Sequence, residues 1–194
     1  MYKFNLLSKK TIFERFIKVE ETNFELPEQQ VQIKRFVVSR PEAAAIVLHH
    51  RLHQSVILIK QFRAPVFNRN ENPFIYEIPA GVIEDGEDAY STIIRECVEE
   101  TGYKIDKALR LNTIYPSPGI LDEKIHLFYA TVGDEQKILP GGGLDIENEF
   151  LEVCEFPVEQ LFDMINSGQI NDAKSIVALF LAKEYLTNSK EAIF

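Results

Sequence analysis

Residues 81–103 read GVIEDGEDAYSTIIRECVEETGY, and how this stretch folds governs the rest of the chain. It gathers carboxylates at Glu84, Asp85, Glu87, Asp88, Glu96, Glu99 and Glu100 around one cation, Arg95. Ala89, Ile93, Ile94, Cys97 and Val98 recur at spacings that build a single apolar stripe, the mark of a helix. Asp88 is suited to cap its start and Gly102 to stop it. Glu96 and Glu100 lie four apart and share one face, an arrangement that costs roughly a few tenths of a kcal/mol. Arg95 answers Glu99 at the same spacing, which leaves Glu96 and Glu100 without a cation. A divalent metal supplies the missing charge most simply, because hard ions such as Mg²⁺ take carboxylate oxygens together with substrate phosphates.

The wider spacing is more specific than the acidic pairs. Gly81, Glu87, Arg95-Glu96, Glu99-Glu100 and Gly102 fix seven positions, with apolar residues at Cys97 and Tyr103. At ordinary residue usage such a match arises by chance in about one start in 10⁸. The pattern resembles the Nudix box at every fixed position. The resemblance implies an α/β fold, a Nudix α/β/α sandwich, here with an additional N-terminal β-meander. It covers roughly residues 40 to 186.

Composition narrows the setting. The chain has 194 residues, 45% of them hydrophobic and 26% charged, enough for a proper core in one domain. A formal net charge of −9 argues against a nucleic-acid surface, which needs clustered Lys and Arg. Cys97 and Cys154 lack metal-ligand spacing and read as free thiols in a reducing compartment. The N-terminus has no secretory pattern, and the longest apolar run, residues 176–182, is too short to span a membrane. The expectation is a cytoplasmic protein without nucleic-acid or membrane partners.

Along the chain, residues 1–39 read as a meander with strands at 13–17 and 30–38 and a turn at Pro27-Glu28. Residues 40–194 form the main domain. Residues 43–48 suit a strand buried on both faces, and 55–63 form the next strand. His49 and His50 read as solvent-exposed turn histidines, since no third ligand lies at a useful spacing. Residues 64–74 read as a loop and 75–80 as a strand ended by Pro79. Further strands are expected at 108–115, 125–131 and 150–156. Pro157 opens a helix over 158–165 that closes near Gly168, and Asn171 or Asp172 caps a last helix over 173–186.

Residues outside the box refine what the resemblance implies. Pro118, in Ser117-Pro118-Gly119, falls fifteen residues past Tyr103, as in the branch acting on ADP-ribose and related nucleotide sugars. The string Tyr76-Glu77-Ile78-Pro79-Ala80-Gly81 resembles the same branch, as does Arg63, whose counterpart serves the substrate's phosphates. Residues 141–149, GGGLDIENE, resemble the loop of the GDP-mannose and UDP-glucose subgroup, on which a glutamate activates water. Glu147 is the better match and Glu149 the runner-up.

The implied reaction is Mg²⁺-dependent hydrolysis of a nucleoside diphosphate sugar, of ADP-ribose or GDP-mannose type, to nucleoside monophosphate and sugar phosphate. Mn²⁺ is the alternative ion. Metal ligands are expected at Glu96, Glu100, the Ala80 carbonyl and Glu99. Arg95 orients the carboxylates, Glu87 fixes the loop geometry, and Glu147 or Glu149 is the base. Arg63, Glu77, Pro118, Gly119 and Arg35 serve the substrate. The family resemblance also implies a homodimer through the N-terminal strands, with Arg35 reaching the partner's site. Alternatives are a Nudix enzyme for nucleoside triphosphates or RNA 5′ ends, and a non-catalytic nucleotide-sugar-binding module.

Overall fold

The computed structural model describes residues 2–143 and 150–187. The chain forms two compact units, residues 1–42 with 115–124, and residues 43–114 with 125–194.

The first unit is an antiparallel meander of β1 (Asn5–Glu14), β2 (Lys18–Leu26) and β3 (Val31–Ser39). Pro27 opens the 3₁₀ turn Pro27–Gln29 between β2 and β3, as its fixed φ and missing N–H favour. Of the strand expected over 13–17, Phe13 and Glu14 end β1, while residues 15–17 form the β1–β2 hairpin turn, with Arg15 N–H donating to the Ile17 carbonyl at 3.0 Å. The apolar residues Phe13, Phe16 and Ile17 were misleading there, because β1 has no buried residue and the buried residues of β2, Glu20 and Thr22, are polar, so no apolar stripe marks the strand bounds. Residues 115–124 join this unit. Val38 N–H donates to the Ile120 carbonyl at 2.8 Å, and Ser39 Oγ donates to Asp122 Oδ2 at 2.6 Å.

The second unit is built on a mixed sheet. β10 (Leu151–Pro157), β5 (Ser55–Phe62), β4 (Ala43–His50), β9 (Ile125–Val132) and β8 (Leu109–Ile114) lie in that order, with β4 and β9 parallel. β4 is buried throughout, and its alternation feeds two cores. Ala43, Ala45 and Val47 meet α3 (Val158–Asn166) and α4 (Ala173–Thr187) on one face. Ala44, Ile46 and Leu48 meet Ile93 and Cys97 of α2 (Ala89–Thr101) on the other. The result is a helix–sheet–helix sandwich. Among the described residues no helix is long and apolar enough to cross a membrane.

β4 and β5 pair only at one end, through Leu48–His50 and Ser55–Ile57. Beyond that point they diverge, and two short strands fill the fork. β6 (Phe74–Glu77) pairs with β5, and β7 (Ala80–Val82) pairs with β4. The single strand expected over 75–80 is therefore two, changing partner at Ile78-Pro79. Proline, without an N–H, suits that crossing, and its carbonyl accepts Ile46 N–H at 2.9 Å. The loop expected over 64–74 holds a short helix, α1 (Ala64–Phe67). His49 and His50 also depart from expectation. They end β4 and are 4% and 0% exposed, so they are core residues and not turn residues.

Candidate active site

α2 begins and ends on chemistry readable in its residues. Asp88 Oδ1 accepts the Ser91 N–H at 2.7 Å, and Gly102 closes the helix in the left-handed region at φ 74°. Burying Ile93 and Cys97 against the sheet turns the glutamate-bearing side toward the fork between β4 and β5. There Glu100, only 2% exposed, accepts the Ala80 N–H through Oε2 at 2.9 Å. Glu96 lies against the next residue. A Cβ built on Gly81 would fall 1.8 Å from Glu96 Oε1, so glycine is required for the carboxylate to sit there. Two carboxylates thus converge on the Ala80–Gly81 backbone.

Arg95 organises the remaining acids. Its Nε and Nη2 fork onto Glu87 at 3.1 and 3.0 Å, while Nη1 reaches Glu96 at 2.8 Å and Glu99 at 2.9 Å. Spacing alone paired Arg95 with Glu99 only. The long side chain also reaches its own neighbour Glu96 and, across the loop, Glu87. Arg95 and the Thr92 hydroxyl hold the Glu87 carboxyl down at about 2. Three carboxylates share one guanidinium, Glu100 lies beside them on the Ala80 N–H, and the side-chain donors at Ala80–Gly81 are all oxygen. That set suits a hard divalent cation such as Mg²⁺.

A second ion cluster lies just before Ala80. Arg63 Nε and Nη2 fork onto Glu77 at 2.5 and 2.8 Å. Lys174 donates to the same carboxylate and to Asp172 Oδ2 at 3.0 Å. Burial pushes the Glu77 carboxyl up, but its bonds and charge pairing with Arg63 and Lys174 outweigh this and leave it lowered. Asp172 also caps α4 by accepting Ser175 N–H at 2.9 Å, and Ser175 Oγ accepts Ile78 N–H at 2.9 Å. Sequence reasoning missed Lys174 and Ser175. The available signal was a lysine in the first turn of a helix, where the macrodipole disfavours a cation unless acids answer it.

Ala80, Glu87, Arg95, Glu96, Glu99 and Glu100 are thus brought together, with Arg63 and Glu77 adjoining through β6. Arg35, Pro118 and Gly119 belong to the meander unit. Arg35 is an exposed β3 residue whose Nη1 donates to the Lys34 carbonyl at 2.8 Å. Glu147 and Glu149 lie outside the described residues.

Comparison with known proteins fits this geometry. The NUDIX domain model matches residues 39–179. The chain is 34% identical over 181 residues to a GDP-mannose pyrophosphatase of Citrobacter koseri, covering 91% of this chain and 93% of that protein. It is 32% identical over 189 residues to a GDP-mannose pyrophosphatase of Klebsiella pneumoniae, covering 95% and 92%. A crystal structure of an ADP compounds hydrolase superposes with a TM-score of 0.79 at 23% identity, covering 98% of this chain and 97% of that one, and so shares the fold. With the box intact on a helix–sheet–helix sandwich, and relatives matching along nearly its whole length, the chain belongs to the Nudix family.

Proposed function

We propose that this protein hydrolyses the pyrophosphate bond of a nucleoside diphosphate sugar, with GDP-mannose the leading substrate. The products are a nucleoside monophosphate and a sugar phosphate. The observation that carries the reaction class is the convergence of Glu96 and Glu100 on the Ala80–Gly81 backbone. Support for the substrate comes from relatives named GDP-mannose pyrophosphatase over about nine-tenths of the chain.

Glu96, Glu100, Glu99 and the Ala80 carbonyl would hold Mg²⁺, or Mn²⁺ in its place. When bound, such an ion neutralises phosphate charge and acidifies water. Arg95 keeps Glu87, Glu96 and Glu99 in fixed positions, a role that sets ligand orientation. Glu147, or Glu149 two residues on, accepts the proton of the attacking water. Glu77 takes Nε and Nη2 of Arg63, which leaves Nη1 for a substrate phosphate. Pro118 and Gly119 shape the substrate site. A homodimer built through the N-terminal strands brings Arg35 to the partner's site. Two free cysteines, Cys97 with its thiol pushed up to about 12 by burial, suit a cytoplasmic setting.

The test is a panel of GDP-mannose, ADP-ribose, UDP-glucose and nucleoside triphosphates assayed with Mg²⁺, reading phosphate released by added phosphatase. GDP-mannose should give GMP and mannose 1-phosphate. Turnover of a triphosphate with none of any nucleotide sugar would overturn the proposal.

A further inference from the structure

The end of the acidic helix is closed by a segment far along the chain. The last four carbonyls of an α-helix have no partner inside it. In α2 these belong to Val98, Glu99, Glu100 and Thr101, and each of them is answered. Gly102 N–H donates to the Val98 carbonyl at 2.8 Å, as an ordinary helix stop does. The other three are met from residues 137–143. Gly142 N–H donates to the Glu100 carbonyl at 2.8 Å, and Gly143 N–H to that of Glu99 at 3.2 Å. The Lys137 ammonium donates to the Thr101 carbonyl at 2.6 Å, across 36 positions of sequence.

Lys137 also binds its own segment. It donates to the Pro140 carbonyl at 3.1 Å, with its charge 4.7 Å from the centre of the Tyr103 ring. One cation thus ties the helix end to the glycine segment, and it stands at the negative pole of the helix. The approach is close. A Cβ on Gly141 would fall 2.7 Å from the Glu100 carbonyl oxygen and 2.6 Å from the Thr101 carbonyl carbon. Gly141, Gly142 and Gly143 hold φ at 75°, 113° and 80°, a run that side chains would strain. The triple glycine therefore lets a backbone lie directly against α2. Glu100 is held at two points as a result, its Oε2 on the Ala80 N–H at 2.9 Å and its carbonyl on the Gly142 N–H.

We infer that Lys137 is a positioning residue for the acidic helix: through the Thr101 and Pro140 carbonyls it clamps the glycine segment onto the end of α2, fixing the peptide units from which Glu99 and Glu100 project. This rests on the reading of Glu96, Glu99 and Glu100 as Mg²⁺ ligands. Helix ends fray in their last turn, and Glu99 and Glu100 lie in that turn. A designed or natural site tolerates misplacement of its groups by only about 0.5 Å. Loosening this end of α2 therefore weakens ion binding before it threatens the fold.

Mn²⁺ binding to metal-free full-length protein is titrated by electron paramagnetic resonance of the free ion, beside Mg²⁺-dependent turnover and amide exchange of Gly142 and Gly143 by NMR. Lys137 is an exposed residue, so Lys137→Met should fold, checked by circular dichroism. Its Mn²⁺ affinity should fall about 10-fold and its half-saturating Mg²⁺ rise by the same factor, with turnover at saturating Mg²⁺ near wild type and both amides exchanging faster. Lys137→Arg keeps the cation and should restore most of the affinity. Gly141→Ala forces the segment off the helix and should weaken Mn²⁺ binding by the same route. Gln136→Ala loses bonds to the Lys104 carbonyl and the Gly133 N–H, neither of them in α2, and should leave Mn²⁺ affinity unchanged, so lost stability alone does not mimic the effect. Wild-type Mn²⁺ affinity in Lys137→Met, beside a large loss in Glu100→Gln, would overturn the positioning role alone. Wild-type affinity in Glu100→Gln would overturn the metal reading and this proposal with it.

Discussion

Gly81 and Glu100 act on the same few atoms by different means. Glu100→Gln keeps an acceptor for the Ala80 N–H but removes a charge, so the fold should survive while Mg²⁺-dependent turnover drops by roughly 10³-fold, about 4 kcal/mol. Gly81→Ala keeps every charge and puts a methyl where the Glu96 carboxylate lies. The side chain's flexible end can swing aside, so Tm should change little. Turnover at limiting Mg²⁺ should fall about 10–100-fold, with part of the loss recovered at high Mg²⁺. A Gly81→Ala enzyme with a wild-type Mg²⁺ titration would mean that Glu96 is not a ligand. His49 makes a prediction about stability. Burial, then the charges of Arg51 and His50, push its ring down to about 4, below the unfolded value near 6.5. Between those values the unfolded chain binds the extra proton, so stability falls as pH drops through that window, by about 2–3 kcal/mol. Glu87, held at about 2, loses its contribution only below the ordinary carboxylate range, so the two windows are separable. Urea unfolding at pH 7 and pH 4.5 should show this loss in wild type and a smaller one in His49→Gln. Equal losses would rule His49 out.

At the level of elements, legibility followed how local the information is. α2 was readable because cap, stripe and stop all lie within fifteen residues of sequence, from Asp88 to Gly102. Gly102 does more than end the helix. It sits at φ 74°, and a Cβ there would meet the Leu139 carbonyl oxygen at 1.9 Å, a backbone atom that cannot step aside. Gly102→Ala should therefore cost at least about 2 kcal/mol, combining left-handed strain with that clash. Thermal unfolding would register it as a Tm several degrees lower, and an unchanged Tm would show that the 139–141 segment yields. β6 and β7 were not separable in sequence, because their division depends on β4 and β5 splaying apart, which no run of side chains announces. His49 and His50 were misread for a related reason. A polar pair after an apolar run looks like a turn until the parallel partner β9 extends β4 by two residues, pairing His49 with Thr131 and His50 with Val132. The site divided likewise: the glutamates repeat along one helix face and were visible. The Lys174–Glu77 contact joins residues 97 apart and was not.

On the scale of the whole molecule, the meander raises the question of what covers it. β1 is exposed along its full length and lies at the edge of its sheet, with no strand on its outer side among the described residues. Leu6, Leu7, Ile12 and Phe13 of that strand are each about half exposed, and Phe36 of β3 is 49% exposed. A three-stranded sheet gains little from its own packing, and an edge strand bearing apolar side chains is a template for another chain. A second copy is the simplest cover, and a stable interface needs on the order of 1,000 Å² of buried surface, within reach of a ten-residue strand with its neighbours. Light scattering should therefore give a dimer for the intact chain. Leu6→Glu with Phe13→Glu places charge on the edge and should yield a monomer whose sandwich unfolds at the wild-type temperature. If Arg35 serves the partner's site, that monomer should also lose turnover, and Arg35→Ala should lose it while remaining dimeric. A monomeric wild type would end the dimer proposal. A dimeric Arg35→Ala variant with full activity would keep the dimer and remove Arg35 from the site.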